Sequence, residues 1–207
     1  MIYIADNPLQ IHLESALAAV SEQRRQYALR YVRDEGRRLS VAAYVLLCHA
    51  LKEEFGITSP PEFAFTENGK PYLRDFPHIQ FSLSHCREAV ACAVAASPVG
   101  IDVESISAYD PALLPATMSA AERERILGAE SPAVEFTRLW TAKESVVKMN
   151  DLAAAGISLP SLLESTESYR FTACERIAQG YVCTACHAAP QANDLTILHL
   201  PCPVVPS

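Results

Sequence analysis

Apolar residues recur along this chain at two spacings, and the changes from one to the other mark its predicted elements. Leu39, Ala43, Leu46, Leu47, Ala50 and Leu51 return every three or four positions, which predicts a helix over 37–55 with one buried face and a stop at Gly56. The same spacing predicts a helix over 9–20, and Ser21 offers a hydroxyl to cap a further one. A short strand at 2–5 opens the chain. After Pro60 and Pro61 the texture changes to strands at 62–66, 79–84, 89–96 and 99–103, with Asn68-Gly69 as a turn signal because both residues tolerate positive φ. The order then repeats, with helices near 110–114, 119–127 and 131–149 followed by strands near 168–175, 180–188 and 195–200.

Two runs of helices followed by antiparallel strands predict an α+β protein of two halves, residues 1–97 and 98–207, divided at the Ser97-Pro98 turn. No internal sequence repeat relates them. The tail 201–207 carries three prolines and should be irregular, since proline cannot donate to a sheet ladder.

Composition narrows the function. A net charge of −7 argues against a general nucleic-acid binder. Charge is uneven, however: Arg24, Arg25, Arg30, Arg33, Arg37 and Arg38 crowd one stretch and offer a local patch to a small polyanion. The seven cysteines are an odd number, several set in Ala/Val-rich runs, which fits free thiols in a reducing compartment. The opening residues lack the basic and long apolar regions of a signal peptide, and no apolar run reaches membrane-spanning length. A cytoplasmic monomer with no membrane or nucleic-acid partner is expected.

The candidate chemistry lies in two acidic islands. In Gly100-Ile101-Asp102-Val103-Glu104, strand alternation turns Ile101 and Val103 to the core and sets Asp102 and Glu104 on one face, about 7 Å apart along the backbone. Two carboxylates at roughly 5 Å repel by about 3 kcal/mol at an effective dielectric near 20, so such a pair binds a cation, finds basic partners or keeps a proton. An acidic strand end facing water is the plainer alternative. In the second island, helical spacing stacks Trp140, Glu144 and Lys148 on one stripe. A Glu followed four residues later by a Lys is also an ordinary surface ion pair. Together the islands hold three carboxylates and a lysine, with no His or Cys between. Oxygen-only ligation with few protein ligands suits Mg²⁺ joined to substrate phosphates.

Three strings, Phe81-Ser82-Leu83-Ser84-His85, Val99 through Glu104, and Leu139-Trp140-Thr141-Ala142-Lys143-Glu144-Ser145 through Lys148, resemble the 4'-phosphopantetheinyl transferase family in its longer, surfactin-synthetase-activating type. Gly69-Lys70-Pro71 resembles that type's upstream turn. The likeness covers nearly the whole chain. It implies a pseudo-dimer of two similar α/β half-domains with the active site in the cleft between them. It also implies transfer of the phosphopantetheine arm of coenzyme A to a serine of an acyl or peptidyl carrier protein, with release of 3',5'-ADP.

By that resemblance Asp102, Glu104 and Glu144 hold Mg²⁺, with Mn²⁺ as an alternative ion. Asp102, Glu144 and Lys148 are the catalytic set, Glu144 doubling as base for the serine proton and Lys148 meeting the α-phosphate. Coenzyme A is gripped by Arg24 and Arg38 at its 3'-phosphate, by Ser84 and His85 at other phosphates, and by Gly69, Lys70 and Pro71 along adenine. Tyr27 departs from the family's pattern, where a second lysine is common. Glu122 matches a further acid of the family that positions lysines or the acceptor.

A Mg²⁺-dependent nucleotide phosphohydrolase would use the same three acids and lysine, and a degenerate relative would bind coenzyme A or a carrier without turnover. The segment 105–119, with Ile106, Tyr109, Leu113, Leu114 and Met118, is a candidate carrier surface, although core packing explains those residues as well. Cys183-Thr184-Ala185-Cys186-His187 fits a haem-attachment pattern, but on a strand residues three apart face opposite sides, so the sulfurs cannot converge.

Overall fold

A computed structural model describes residues 1–107, 109–152, 158–164, 168–188 and 195–201. In chain order the elements are β1 (Ile2–Asp6), α1 (Leu13–Ala19), α2 (Glu22–Leu29), α3 (Asp34–Phe55), β2 (Phe63–Phe65), β3 (Pro71–Leu73), β4 (Gln80–His85), β5 (Ala89–Ala95) and β6 (Val99–Ser105). Then come α4 (Leu114–Thr117), α5 (Ala120–Gly128), α6 (Pro132–Met149), β7 (Tyr169–Arg176), β8 (Tyr181–Ala188) and β9 (Ile197–Leu200). The chain is a mixed α+β protein. No helix among the described residues is long and apolar enough to cross a membrane.

The two long helices follow their sequence signals. α3 starts three residues ahead of the expected position, with Asp34 and Glu35 in the first turn where the helix dipole favours acids, and ends on Gly56 at φ 67°. α2 starts where Ser21 accepts from the Arg24 amide. The helix expected over 9–20 is shorter: a single 3-10 turn, Pro8–Gln10, precedes α1, whose cap is His12. Asn68-Gly69 closes the β2–β3 hairpin, and Gly69 takes φ 91° there.

Four layers result, in the order α3, sheet, sheet, α6. The first sheet runs β4-β5-β1-β9, the second β6-β8-β7. One face of the first sheet, with Tyr3, Phe81, Val90, Cys92 and Val94, packs on Val41, Val45, Leu47 and Leu51 of α3. Its other face, with Ile2, Ile4, Ala89, Ala91 and Ala93, meets Val99, Ile101, Val103, Cys183 and Ala185 of the second sheet. Strand alternation thereby divides each strand between two cores. Behind the second sheet lies α6, so close that a Cβ on Gly100 would stand 1.9 Å from the Ser145 carbonyl oxygen. Glycine at 100 lets β6 lie against the helix backbone.

One strand departs from the expected order. The last, β9, pairs in parallel with β1, Ile2 opposite Ile197 and Ala5 opposite Leu200, and so adds an edge to the first sheet rather than the second. β1 is the first strand of the chain and had one side open beyond its antiparallel partner β5. The tail beyond 201 lies outside the described residues.

Candidate functional site

Ser82 and Ser84 sit two apart on β4, and strand period two gives their hydroxyls the same direction. Both reach β6. Ser82 Oγ accepts from the Ile101 amide at 3.0 Å, which stitches the strands together. Ser84 Oγ donates to Asp102 Oδ1 at 2.8 Å. From the other side α6 brings Lys148, whose Nζ stands 2.6 Å from the same Oδ1 and 3.0 Å from Ser84 Oγ. Asp102 is only 2 % exposed, so it is a buried carboxylate held by a hydroxyl and an ammonium, not an acidic strand end in water. Its second oxygen, Oδ2, is buried and has no hydrogen-bond partner among the described residues. A buried acceptor in that state costs roughly 1–3 kcal/mol unless something positive arrives.

Glu104 and Glu144 stand beside this group. Burial, and then the Asp102 charge, push the Glu104 carboxyl up to about 7, against the pull of Lys148 and a Trp140 hydrogen bond. Glu144 is raised above the usual carboxylate range by burial first and Asp102 second, with Lys148 opposing. Each acid holds its proton longer first because burial disfavours its charge and then because Asp102 adds negative charge beside it. Among the described residues, no three His, Cys, Asp or Glu side chains converge closely enough to hold a metal ion. The three acids thus line one cavity without forming a closed ligand set, because like charges repel and Lys148 takes up Oδ1.

That cavity has a volume of about 620 Å³. Asp102, Glu104, Glu144 and Lys148 line it, together with Ser84 and His85 and with Gly69 and Pro71 of the hairpin. Arg24, Tyr27, Arg30, Tyr31 and Tyr44, from α2, the bend after it and α3, line the remainder. His85 is exposed at the end of β4, yet the surrounding protein desolvates its ring and lowers its pKa, the cations Lys148 and Arg24 adding to the effect against Asp102, so the ring is biased to the neutral form.

Arg24 is largely desolvated and lies over the rings of Tyr27 and Tyr44, 4.9 and 5.6 Å from their centroids. One guanidinium nitrogen donates to the Ser40 carbonyl. Its Nε is buried with no hydrogen-bond partner among the described residues. A guanidinium stays charged when desolvated, so Arg24, as a lining residue, adds positive charge to the cavity wall. Arg30 lies over the outer side of the set, 5.9 Å from the Tyr27 centroid.

Of the other expected contacts, Arg38 is spent elsewhere: it donates to the carbonyls of Leu9 and Ile11 and braces the chain before α1. Lys70 turns its ammonium away from the large cavity to the carbonyl of Met149, 2.8 Å distant. Glu122 caps α5 through the amide of Ser119 and pairs at 2.9 Å with Lys143, which is fully buried and also donates to Leu159 and Pro160 carbonyls. It secures α6 to its surroundings rather than facing the cavity. In the 105–119 segment Leu114 and Met118 are core residues and Tyr109 stacks on Phe136, leaving Leu113 exposed. Cys183 packs between the sheets and Cys186 against Met149 of α6, on opposite faces as strand geometry requires.

The tyrosine wall was not singled out from the sequence. Its signal is the spacing of Gln23, Arg24, Tyr27, Arg30 and Tyr31, three and four apart, which is one stripe of a helix and its exit. Tyr27, where a lysine was expected, instead supports two guanidiniums with its ring.

Residues 98–186 match the 4'-phosphopantetheinyl transferase superfamily model, and residues 6–98 match the 4'-phosphopantetheinyl transferase N-terminal model. A 4'-phosphopantetheinyl transferase of Bacillus subtilis is 31% identical over 166 residues, 75% of this chain and 70% of the relative. The 4'-phosphopantetheinyl transferase gsp of Aneurinibacillus migulanus is 30% identical over 216 residues, covering 94% and 87%. Sfp of Bacillus subtilis strain 168 is 28% identical over 159 residues, covering 75% and 70%.

Proposed function

We infer that the cavity serves the activity of the family to which this chain belongs, the 4'-phosphopantetheinyl transferase superfamily in its longer, surfactin-synthetase-activating type: transfer of a phosphopantetheine group. The donor is coenzyme A and the acceptor a serine of an acyl or peptidyl carrier protein. The two α+β halves, 1–97 and 98–207 except β9, which crosses to the first sheet, form a pseudo-dimer with the nucleotide in the cleft between them. One observation carries this reading: Arg24, half-buried with an unpaired buried Nε, lines the same tyrosine-bearing cavity as a lysine–serine–carboxylate group. Phosphate at both ends of one ligand answers that pattern.

Arg24, with Arg30 beside it, takes the 3'-phosphate, both guanidiniums resting on the Tyr27 ring. Gly69 and Pro71 lie along adenine. Ser84 and His85 donate to the pyrophosphate, and Lys148 leaves Oδ1 to meet the α-phosphate, where it steadies charge that grows in the transition state. Glu144 accepts the serine proton as the serine oxygen bonds to the β-phosphorus and the pyrophosphate bond breaks. The electron pair of that bond leaves with 3',5'-ADP. A carboxylate whose pKa is raised toward neutrality is better matched to that proton than an ordinary one.

The three acids do not close around an ion as they stand, but their chemistry suits a divalent cation that would draw them together. Asp102 Oδ2 is an unpartnered buried acceptor, and Glu104 and Glu144 carry the raised pKa values of acids that a cation would relieve. Mg²⁺ or Mn²⁺ held by Asp102, Glu104 and Glu144 would supply Lewis-acid neutralisation of the departing phosphate.

The test is incubation with coenzyme A, Mg²⁺ and a panel of fatty-acid, polyketide and peptide carriers, read by intact-protein mass. A carrier should gain one phosphopantetheine group, and its serine-to-alanine form none. Phosphate release into water with every carrier unmodified would point instead to a phosphohydrolase.

A further inference from the structure

Lys70 sits in the β2–β3 turn, between two residues that line the large cavity, Gly69 and Pro71. Its side chain runs the opposite way. Nζ donates to the Met149 carbonyl at 2.8 Å, and Asn68 Nδ2 donates to the Asp151 carbonyl at 3.1 Å. Met149 is the last residue of α6. The last carbonyls of a helix have no partner within it, and the negative end of the helix dipole favours a cation there. Burial pulls the Lys70 pKa down and the Asp151 charge opposes that, as expected of an ammonium withdrawn from water toward an acid-flanked helix end.

Between the turn and the helix lies a second cavity of about 230 Å³, walled by Asn68, Lys70, Leu83, Val147, Lys148 and Asp151 among others. The two polar bonds therefore span a gap instead of reinforcing a close-packed contact. Lys148, which meets Asp102, is the residue directly before Met149. Whatever holds the carbonyl of Met149 also holds the backbone from which Lys148 reaches the cavity.

We infer that Lys70 is a positioning residue for phosphopantetheine transfer: it clamps the C-terminal end of α6 to the turn that lines the nucleotide cavity, so that a ligand seated on Gly69 and Pro71 fixes where Lys148 stands. The inference rests on the transferase reading above. Lys70 contacts no reacting atom in this role; it acts through Lys148. A shift of roughly 1 Å in a group that stabilises a transition state can cost on the order of 100-fold in rate, so a lost clamp is visible in turnover.

Two measurements on wild type, Lys70→Met and Lys70→Arg test it. Amide hydrogen exchange over the last turn of α6, on ligand-free protein, should quicken by about tenfold in Lys70→Met, the worth of one charged hydrogen bond to a helix end, and return in Lys70→Arg. Steady-state transfer should show kcat reduced by about tenfold in Lys70→Met with the KM for coenzyme A changed by less than about threefold, and recovery in Lys70→Arg. A raised KM with kcat intact would make Lys70 a nucleotide contact and overturn the clamp, as would unchanged exchange. If wild type transfers nothing to any carrier, the transferase reading fails on its own, and the exchange measurement still decides whether Lys70 holds the helix end.

Discussion

The helices α3 and α6 lie in equivalent outer layers, each against one face of a sheet, and they are anchored by different physics. α3 buries Val41, Val45, Leu46, Leu47 and Leu51, and Ser40 is the one small polar side chain among its buried positions. α6 buries Glu135, Thr137, Thr141, Lys143 and Ser145 alongside Leu139, Val146 and Val147. Thr141 is bonded to Thr184 of the sheet at 2.8 Å, Lys143 to Glu122 of α5 at 2.9 Å, and Arg138 to Glu175 of β7 at 2.6 Å. Apolar contact is non-directional, and it holds α3 by area. Hydrogen bonds and ion pairs are directional, and they fix the rotation of α6 about its own axis. That rotation matters because Glu144 and Lys148 must point into the cavity while Lys143, one residue away, points out of it.

This difference predicts opposite responses. The largest effect is expected from Glu144→Gln, which keeps the shape and removes the base: transfer should fall by about 10³-fold, within the range of general acid–base catalysis, with no fall in melting temperature, since the charge removed is one that burial and Asp102 disfavour. A fall in melting temperature would place Glu144 among the anchoring groups of α6. Leu46→Ala is the counterpart on α3. It should cost about 2–5 kcal/mol of unfolding free energy in urea titration, as a buried leucine truncation does, while transfer per folded molecule persists. Loss of turnover without loss of stability there would erase the contrast between the helices.

The smallest effect is a pH dependence. Glu104 titrates at about 7 in the folded protein, against an ordinary value of 4.5. The folded state therefore binds the proton more tightly, and the group's unfavourable contribution is absent below 4.5, grows between 4.5 and about 7, and is complete above that. In chelator, the melting-temperature gain of Glu104→Gln over wild type should rise across that window and level off above it. A gain that does not vary with pH would mean that Glu104 is not the buried acid described. α3 carries no acid in its buried set and should show no such window.

Much of this was legible beforehand, for local reasons. The period of Leu39 through Leu51 specified α3, Asn68-Gly69 specified the hairpin turn, and alternation placed Asp102 and Glu104 opposite Ile101 and Val103. The two sulfurs of Cys183 and Cys186 were separable by the same alternation. Arg24 and Arg38 were equal candidates in sequence because the family resemblance pointed to both as the grip on the 3'-phosphate. Only the docking of α2 on α3 turned Arg24 toward the cavity and left Arg38 on the carbonyls of Leu9 and Ile11.

The sequence by itself determined which side chains share a face, since that follows from the 3.6-residue and two-residue periods of single elements. It also determined the chemical kinds present: three acids, a lysine, a serine–histidine pair and a cluster of arginines. The tertiary structure alone decided who meets whom. β9 joins β1 across nearly the whole chain, Ser84 and Lys148 converge on one oxygen of Asp102, and Lys70 reaches the end of α6 instead of the cavity. Each of these contacts joins residues at least 18 positions apart, in different elements, where spacing along the chain carries no directional information and packing of the layers sets the distance.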